Sequence, residues 1–307
     1  MTASAPNALS DPMLRQRAKR AAWAAAVASV CFGASVVATR YVVAQTTPLS
    51  LAFLRYLLAT ACLLPVVGWR AIVQMPATDR WRMAGLGVLF FGVFPWSFSA
   101  SLTHLPSAHV AIVVATNPLV TLLLSRLRGV ERIGAVQLIG QLLAFAGLLV
   151  ALPIFASPVP PAADAWFGYL EIGTTVLCGS IYNVFSRPLL GRYPPLLMTT
   201  VSMIAGTLFL APLAAWQGLF HTVPVFTPLG WAAVVFLGIA GGAIGFGLWI
   251  WALQRSTPSR VAVFLAINPI TAIMLGALML GEAITPRLLV GLVAVIGGIL
   301  LATRRPV

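Results

Sequence analysis

Residues 117–150 read NPLVTLLLSRLRGVERIGAVQLIGQLLAFAGLLV, and residues 268–301 read NPITAIMLGALMLGEAITPRLLVGLVAVIGGILL. Aligned without a gap at an offset of 151 residues, the two segments share ten identities. The informative matches are residue types that are uncommon in apolar helices: Asn117 with Asn268, Pro118 with Pro269, Glu131 with Glu282, Gly140 with Gly291 and Gly147 with Gly298. The sequence therefore predicts a duplicated half.

The composition of the chain indicates a membrane protein. Hydrophobic residues make up 60% of the 307 residues, charged residues make up 8%, and the mean hydropathy is +0.98. A soluble protein needs a more polar surface, so lipid is the expected solvent. Apolar runs of about 20 residues cross a bilayer as helices. We count ten such runs: 21–44, 48–67, 83–103, 106–125, 133–152, 165–186, 195–217, 229–251, 258–280 and 286–303.

The positions of the basic residues predict the orientation. A net charge of +13 would suggest nucleic acid in a soluble protein, but 16 of the 19 basic residues lie in alternate loops and at the termini. By the positive-inside rule both termini are cytoplasmic, and the chain is a multi-pass protein of the cytoplasmic (inner) membrane. We expect lipid contacts and no nucleic-acid partner. The first apolar run is also too long for a cleavable signal peptide.

The span count predicts the architecture. Each half holds five spans, an odd number, so the second half is inverted relative to the first. The expected fold is an all-α integral membrane protein of ten transmembrane helices in two inverted five-helix repeats. The segments are a basic cytoplasmic stretch (1–20), the first repeat (21–152), an extracytoplasmic proline-rich linker (153–164), the second repeat (165–303) and a cytoplasmic tail (304–307). Inverted repeats are typical of secondary transporters that work by alternating access.

Several motifs resemble a known family. They are Cys31-Phe32-Gly33, Thr39-Arg40, Leu54-Arg55-Tyr56 and the two Asn-Pro…Glu…Gly units. Together they resemble the drug/metabolite transporter superfamily, EamA type, and the chain is most similar to YddG-like exporters of aromatic amino acids and metabolites. The resemblance implies export of amino acids or related metabolites through a cavity lined mainly by spans 1, 3, 4, 6, 8 and 9. One departure is Gly129-Val130-Glu131, where the second half has Leu280-Gly281-Glu282.

Prolines within the spans predict helix kinks at Pro95, Pro118 and Pro269, because proline removes a backbone hydrogen bond. Freed carbonyls must face protein or a cavity rather than lipid. We therefore expect Asn117 and Asn268 to contact substrate, with interhelical packing as the alternative. The other predicted substrate-binding residues are Trp96, Ser97, Ser99, Tyr182 and Trp249. For Glu131 and Glu282 we expect a structural role, such as capping the following helix or pairing within their own loops, with contact to substrate as the alternative.

Three ionisable residues lie within apolar runs and are candidate coupling groups or charge partners. Arg40 and Arg55 fall close to one face of the membrane and are expected to snorkel there, with binding of a substrate carboxylate as the alternative. Glu171 lies inside span 6 on a predicted polar stripe with Thr174, Thr175, Cys178 and Tyr182. Two interpretations of Glu171 stay open, namely proton coupling and a carboxylate satisfied by a neighbouring arginine.

Other functional classes lack their motifs. The sequence contains no HExxH, GxSxG or phosphate-binding loop, and its three histidines have no nearby carboxylate or thiol cluster. We therefore expect no enzyme activity, no cofactor and no metal. The alternatives to an amino-acid exporter are an efflux transporter for lipophilic cations or drugs with Glu171 central, a channel and an integral-membrane receptor.

Overall fold

The computed structural model describes residues 12–128, 134–151, 163–219, 225–255 and 263–302, and none of these residues lies in a β-strand. In chain order the α-helices are α1 (Pro12–Val42), α2 (Pro48–Val67), α3 (Trp69–Val73), α4 (Ala77–Gly87), α5 (Phe94–His104), α6 (Ser107–Ala115), α7 (Asn117–Leu127), α8 (Ala135–Ala151), α9 (Ala163–Phe185), α10 (Arg187–Leu190), α11 (Pro195–Trp216), α12 (Pro228–Phe236), α13 (Gly245–Arg255), α14 (Ile267–Leu280) and α15 (Pro286–Ala302).

Five helical stretches are long and apolar enough to cross a membrane: Lys19–Val42, Pro48–Val67, Ala77–His104, Pro195–Trp216 and Pro228–Ala252. Shorter apolar helices cover Ser107–Thr121, Leu138–Ala151, Ile267–Leu280 and Pro286–Leu301. The described structure is therefore all-helical with membrane-spanning helices, which confirms that part of the predicted fold class. The count of ten spans, their inversion and the location of the termini stay predictions.

Helix bounds recur at the offset found in the sequence. Pro228, which begins α12, lies 151 residues after Ala77, which begins α4, and α13 follows α5 at the same offset, as α15 follows α8. Even the irregular segments correspond: π-helical turns occupy Val88–Val93 between α4 and α5, and Leu237–Ile244 between α12 and α13. Such widened turns are commonly found at functional sites in membrane and soluble helices.

The helices pack into two bundles that both mix the halves. The first bundle contains α1, α2, α12, α13 and α14, and the second contains α4, α5, α6, α7, α9 and α11. Contacts between the bundles are made by α2 with α11, α6 with α14 and α2 with α5. At the crossing of α2 and α11, the hydroxyls of Thr60 and Thr207 lie 3.3 Å apart.

Helices α8 and α15 pack tightly against each other through glycines. A Cβ atom added to Gly298 would lie closer than 3.0 Å to the backbone of Ala144 and Gly140, and one added to Gly147 would meet Gly291. The backbones therefore approach to a distance that only glycine allows. The neighbouring Gly297 is different, because its added Cβ would touch only Leu143 Cδ2, at 3.8 Å.

Polar contacts join the helices at both ends of the bundles. At the arginine-rich end, which holds Arg82 and Arg192, Tyr193 Oη donates to the buried Asp79 at 2.7 Å. At the opposite, arginine-poor end, the backbone N–H of Thr227 donates to Gln45 Oε1 at 3.0 Å. Each contact bridges residues from the two halves of the chain.

Glu282 makes a further contact between the halves. Its carboxylate accepts the Ser107 N–H at 2.9 Å and the Ser107 hydroxyl at 2.5 Å, which satisfies the first turn of α6. Glu282 therefore has the structural role that we expected, but it caps α6 and not the next helix or its own loop. The next helix, α15, is capped by Thr285, whose Oγ1 accepts the Leu288 N–H at 3.2 Å. Glu131 lies outside the described residues.

Candidate functional site

Both Asn-Pro pairs lie in the first turn of a helix that follows an interruption. Helix α6 ends at Ala115, and α7 begins at Asn117 with Pro118 in its first turn. In the second half a 3-10 turn, Val263–Ala266, precedes α14, whose second and third residues are Asn268 and Pro269. Interrupted helices at matching positions expose backbone polar groups, which lipid cannot satisfy.

Asn117 ties α7 to α9. Its Nδ2 donates to the Val176 carbonyl at 3.1 Å, and its Oδ1 accepts from Asn183 Nδ2 at 3.0 Å. The Ser180 hydroxyl donates to the Asn117 carbonyl at 3.2 Å. These contacts use both ends of the amide, so the structure gives Asn117 an interhelical packing role. Substrate contact by Asn117 stays a prediction.

Asn268 differs from its counterpart. Its Oδ1 is buried and has no hydrogen-bond partner among the described residues, while its carbonyl oxygen lies against Gly33 of α1. An unpaired buried amide oxygen is costly unless a donor reaches it. Of the two asparagines, Asn268 therefore has the free acceptor that a ligand needs.

Two predicted serines and a tyrosine lie in the second bundle. Ser97 and Thr175 share a hydrogen bond of 2.8 Å between α5 and α9, and Ser99 is also buried. Tyr182 stacks on Phe90 with ring centroids 4.3 Å apart. Pro95 lies in the first turn of α5, directly after the first π-helical segment. Trp96 is 41% exposed, on the outer side of that helix turn.

A cluster of aromatic rings crosses between the bundles. We call it the aromatic cluster, and it contains Phe32, Tyr56, Phe90, Phe91, Phe94, Tyr182, Phe246 and Trp249. The bridging pairs are Tyr56 with Phe91 at 5.3 Å and Phe91 with Phe246 at 5.6 Å. Sequence reasoning named only Tyr182 and Trp249. The Phe90-Phe91 pair was visible in the sequence, but a pattern within one helix does not tell an interior ring from a lipid-facing one.

Arg55 lies beside the aromatic cluster and is buried. It is the eighth residue of α2, it is 8% exposed, and its guanidinium carbon lies 5.3 Å from the centroid of the Tyr56 ring. Its Nε has no hydrogen-bond partner, and none of its nitrogens pairs with a carboxylate in the described part of the chain. The expectation that Arg55 snorkels to an interface is therefore not met. Arg40, in contrast, donates to the Leu102 carbonyl at the end of α1.

Glu171 is half-buried on α9, and its Oε2 has no partner within the described ranges. The neighbouring arginine that the sequence suggested is thus absent from that part of the structure. The predicted stripe is wrong at Thr174, which is exposed and donates to the Leu170 carbonyl of its own helix. Thr175 and Cys178 are buried as expected. Thr174 instead lines a surface groove between α6 and α9, so it does not lie in the interior.

The arrangement combines interrupted helices, glycine-dependent packing and a buried cation in an all-helical membrane protein, which are features of a membrane transporter. A model of the EamA-like transporter family matches the chain twice, at residues 19–152 and 166–304. The chain belongs to this family. It is therefore a multi-pass membrane transporter.

Relatives cover nearly the whole chain. A protein of Streptantibioticus cattleyicolor named as a probable terminal-alkyne amino-acid exporter is 27% identical over 288 residues, 93% of this chain and 94% of that protein. A probable amino-acid metabolite efflux pump of Salmonella typhimurium is 26% identical over 281 residues, 88% and 90% of the two chains. A crystal structure of a protein with 22% identity has a TM-score of 0.66 and covers 94% of this chain and 96% of its own, which shows the same fold.

Proposed function

We propose that this protein is a secondary transporter that exports amino acids or related small metabolites by alternating access. The observation that carries the proposal is the pair of interrupted helices, α6–α7 and Val263–Ala266 with α14, at matching positions in halves whose helix bounds repeat. Substrate sites of transporters lie at such interruptions. The names of the two exporter relatives agree with amino acids as the substrate class.

The proposal includes ten spans in two inverted repeats, with both termini on the cytoplasmic side of the inner membrane. It is supported by the segregation of arginines, since Arg70, Arg82 and Arg192 lie at one end of the bundles and the α5–α6 turn at the other carries none. Equivalent helices of the two halves then point in opposite directions. The two bundles rock against each other during transport, while α8 and α15 hold the halves together.

Arg55 and the aromatic cluster define the proposed substrate chemistry. Arg55 is buried, its Nε has no hydrogen-bond partner among the described residues, and a bidentate carboxylate is the best complement of a guanidinium. The ring of Tyr56, a member of the aromatic cluster, adjoins Arg55, and the cluster suits an apolar or aromatic side chain. A large apolar amino acid fits this combination.

Counterflow in proteoliposomes tests the proposal. Vesicles preloaded with unlabelled phenylalanine should accumulate radiolabelled phenylalanine transiently, and the initial rate should saturate with concentration. Saturation and counterflow are properties of a carrier that exposes one site alternately to each side. A flux that rises linearly with concentration and shows no counterflow would identify a channel instead.

A second candidate is efflux of lipophilic cations. It is favoured by the buried, unpartnered Oε2 of Glu171. Competition separates the two functions: a quaternary ammonium dye should leave phenylalanine counterflow unchanged, and Glu171→Gln should retain it. Inhibition by the dye, together with loss of dye transport in Glu171→Gln, would establish cation efflux and overturn the amino-acid proposal.

A further inference from the structure

Helices α1 and α13 lie side by side and leave a groove of ≈550 Å³ on the surface of the first bundle. We call it the α1–α13 groove. Its lining includes Arg20, Trp23, Val27, Gly247, Leu248 and Trp251. Arg20 is the only charged residue of the lining, and the remaining surface is apolar. The groove therefore has one basic end and an apolar floor.

The groove runs from the arginine-rich end toward the middle of the bundle. On α1, Val27 lies seven residues beyond Arg20, which corresponds to about 10 Å along a helix axis. On α13 the chain runs in the opposite direction, so Trp251 lies beside the basic end and Gly247 lies one turn deeper. Arginine and tryptophan thus stand where a headgroup would be, and apolar side chains line the deeper part.

Further cations surround the basic end. The Arg255 guanidinium lies 4.1 Å from the centroid of the Trp251 ring, one turn farther out on α13. Lys19 is exposed beside Arg20. Three positive charges and two indoles around the mouth of an apolar groove are complementary to a phosphate group that carries acyl chains.

A second groove lacks the positive charge that Arg20 gives to the α1–α13 groove. Helices α6 and α9 leave a groove of ≈390 Å³ whose lining includes Val113, Tyr169, Gly173, Thr174 and Leu177. This α6–α9 groove is also largely apolar, but its lining contains no basic residue. Any membrane-embedded surface contacts lipid tails, so only the basic mouth separates a specific lipid site from general solvation.

We infer that the α1–α13 groove binds an anionic phospholipid of the cytoplasmic leaflet. Arg20 pairs with the phosphate, Arg255 and Lys19 add to the positive potential, and one acyl chain lies along Val27, Gly247 and Leu248. The site is separate from the proposed substrate site, because none of its lining residues belongs to the aromatic cluster or contacts Arg55. The proposed lipid site does not depend on whether amino acids are the transported substrate.

Two glycines allow a matched test. A Cβ added to Gly247 has no atom within 4 Å, so the side chain of Gly247→Leu starts in open space and occupies the α1–α13 groove. Gly173 in the α6–α9 groove has the same open surroundings, which makes Gly173→Leu the control. Native mass spectrometry and thermal unfolding in detergent would be measured with phosphatidylglycerol and with phosphatidylcholine of identical chains.

Wild type and Gly173→Leu should retain a phosphatidylglycerol adduct and a higher melting temperature with that lipid than with phosphatidylcholine. Gly247→Leu should lose both effects. Arg20→Gln should lower phosphatidylglycerol affinity about fivefold and leave phosphatidylcholine binding unchanged. Equal effects of the two lipids on wild type, or an unchanged adduct in Gly247→Leu, would overturn the site. If Gly247→Leu does not fold, Arg20→Gln decides the question by the same comparison.

Discussion

Arg55 is the residue whose surroundings carry most of the functional argument. Intramembrane arginines normally pair with an acid, reach an interface or bind a ligand. Arg55 is buried, it contacts the face of Tyr56, and no carboxylate of the described chain lies within ion-pair distance. Its neighbour Gly241 packs closely here, because an added Cβ would clash with the Ser35 hydroxyl and lie 3.8 Å from Arg55 Nη2. A substrate carboxylate is the partner that we propose for Arg55.

Replacing Arg55 tests that role directly. Arg55→Gln should raise the KM for phenylalanine at least about tenfold, because a hydrogen bond to a charged group contributes ~1.5–3 kcal/mol. Inhibition by phenethylamine, which lacks the carboxylate, should change by less than about twofold. Initial rates of uptake and competition in proteoliposomes measure both quantities.

Arg55→Lys is the control, since it keeps the charge and loses the bidentate geometry. It should give an intermediate KM. If Arg55→Gln weakens phenylalanine and phenethylamine equally, Arg55 supports the structure of the bundle and does not bind the carboxylate.

At the scale of elements, α8 and α15 are joined by close backbone packing. Their contact depends on glycines that the duplicated sequence repeats, Gly140 and Gly147 in α8 and Gly291 and Gly298 in α15. Apolar attraction between helices is weak in lipid, so close backbone approach and dispersion must supply the stability. One added methyl group in the wrong place separates the helices.

Substitutions at two adjacent glycines distinguish disruption of the α8–α15 contact from a general loss of helix flexibility. Gly298→Ala should lower the melting temperature in detergent by several degrees, because its methyl group would meet the backbone of Ala144 and overpacking costs ~1–3 kcal/mol. Gly297→Ala should leave the melting temperature unchanged or raise it slightly, since its methyl group makes only an ordinary van der Waals contact with Leu143. Equal destabilisation by both substitutions would show that α8 and α15 are not held by this contact.

The helices themselves could be predicted from composition and periodicity, because lipid leaves the backbone few other conformations. The contacts of Glu282 and Arg55 could not. Glu282 was correctly given a structural role, but its partner Ser107 lies 175 residues away, on a helix that local pattern does not connect to it. Thr174 was assigned to the interior by helical spacing, although its face lies beside a groove. Spacing gives the face of a helix, and only tertiary packing determines which face is interior.

At the scale of the whole molecule, the bundles do not coincide with the halves of the sequence. The first bundle takes α1 and α2 from the first half and α12, α13 and α14 from the second. Part of the candidate site was predictable, since Tyr182 and Trp249 belong to the aromatic cluster that joins the bundles. The remaining rings were not, because their function depends on neighbours from both halves.

Cysteine labelling at one loop of each half tests the relative orientation of the two halves. Gln74 follows α3 in the first half, and Gln217 follows α11 in the second; both are exposed. In a variant without Cys31, Cys62 and Cys178, an impermeant maleimide added to intact cells should label Gln217→Cys and not Gln74→Cys. Labelling after permeabilisation controls for access. If intact cells label both positions or neither, the halves are parallel and the inverted topology is wrong.

Position eight of α2 and of α11 holds different residues, Arg55 and Ser202. The Ser202 hydroxyl donates to the Met83 carbonyl at 3.2 Å, whereas Arg55 Nε has no hydrogen-bond partner among the described residues. If the two halves were identical, the inward-open and outward-open forms of an alternating-access carrier would have equal free energy. This pair is one of the differences between the halves that break such a symmetry. If the chain works by alternating access as we propose, its empty form has a preferred resting state, and loading of its site changes the balance between the two forms.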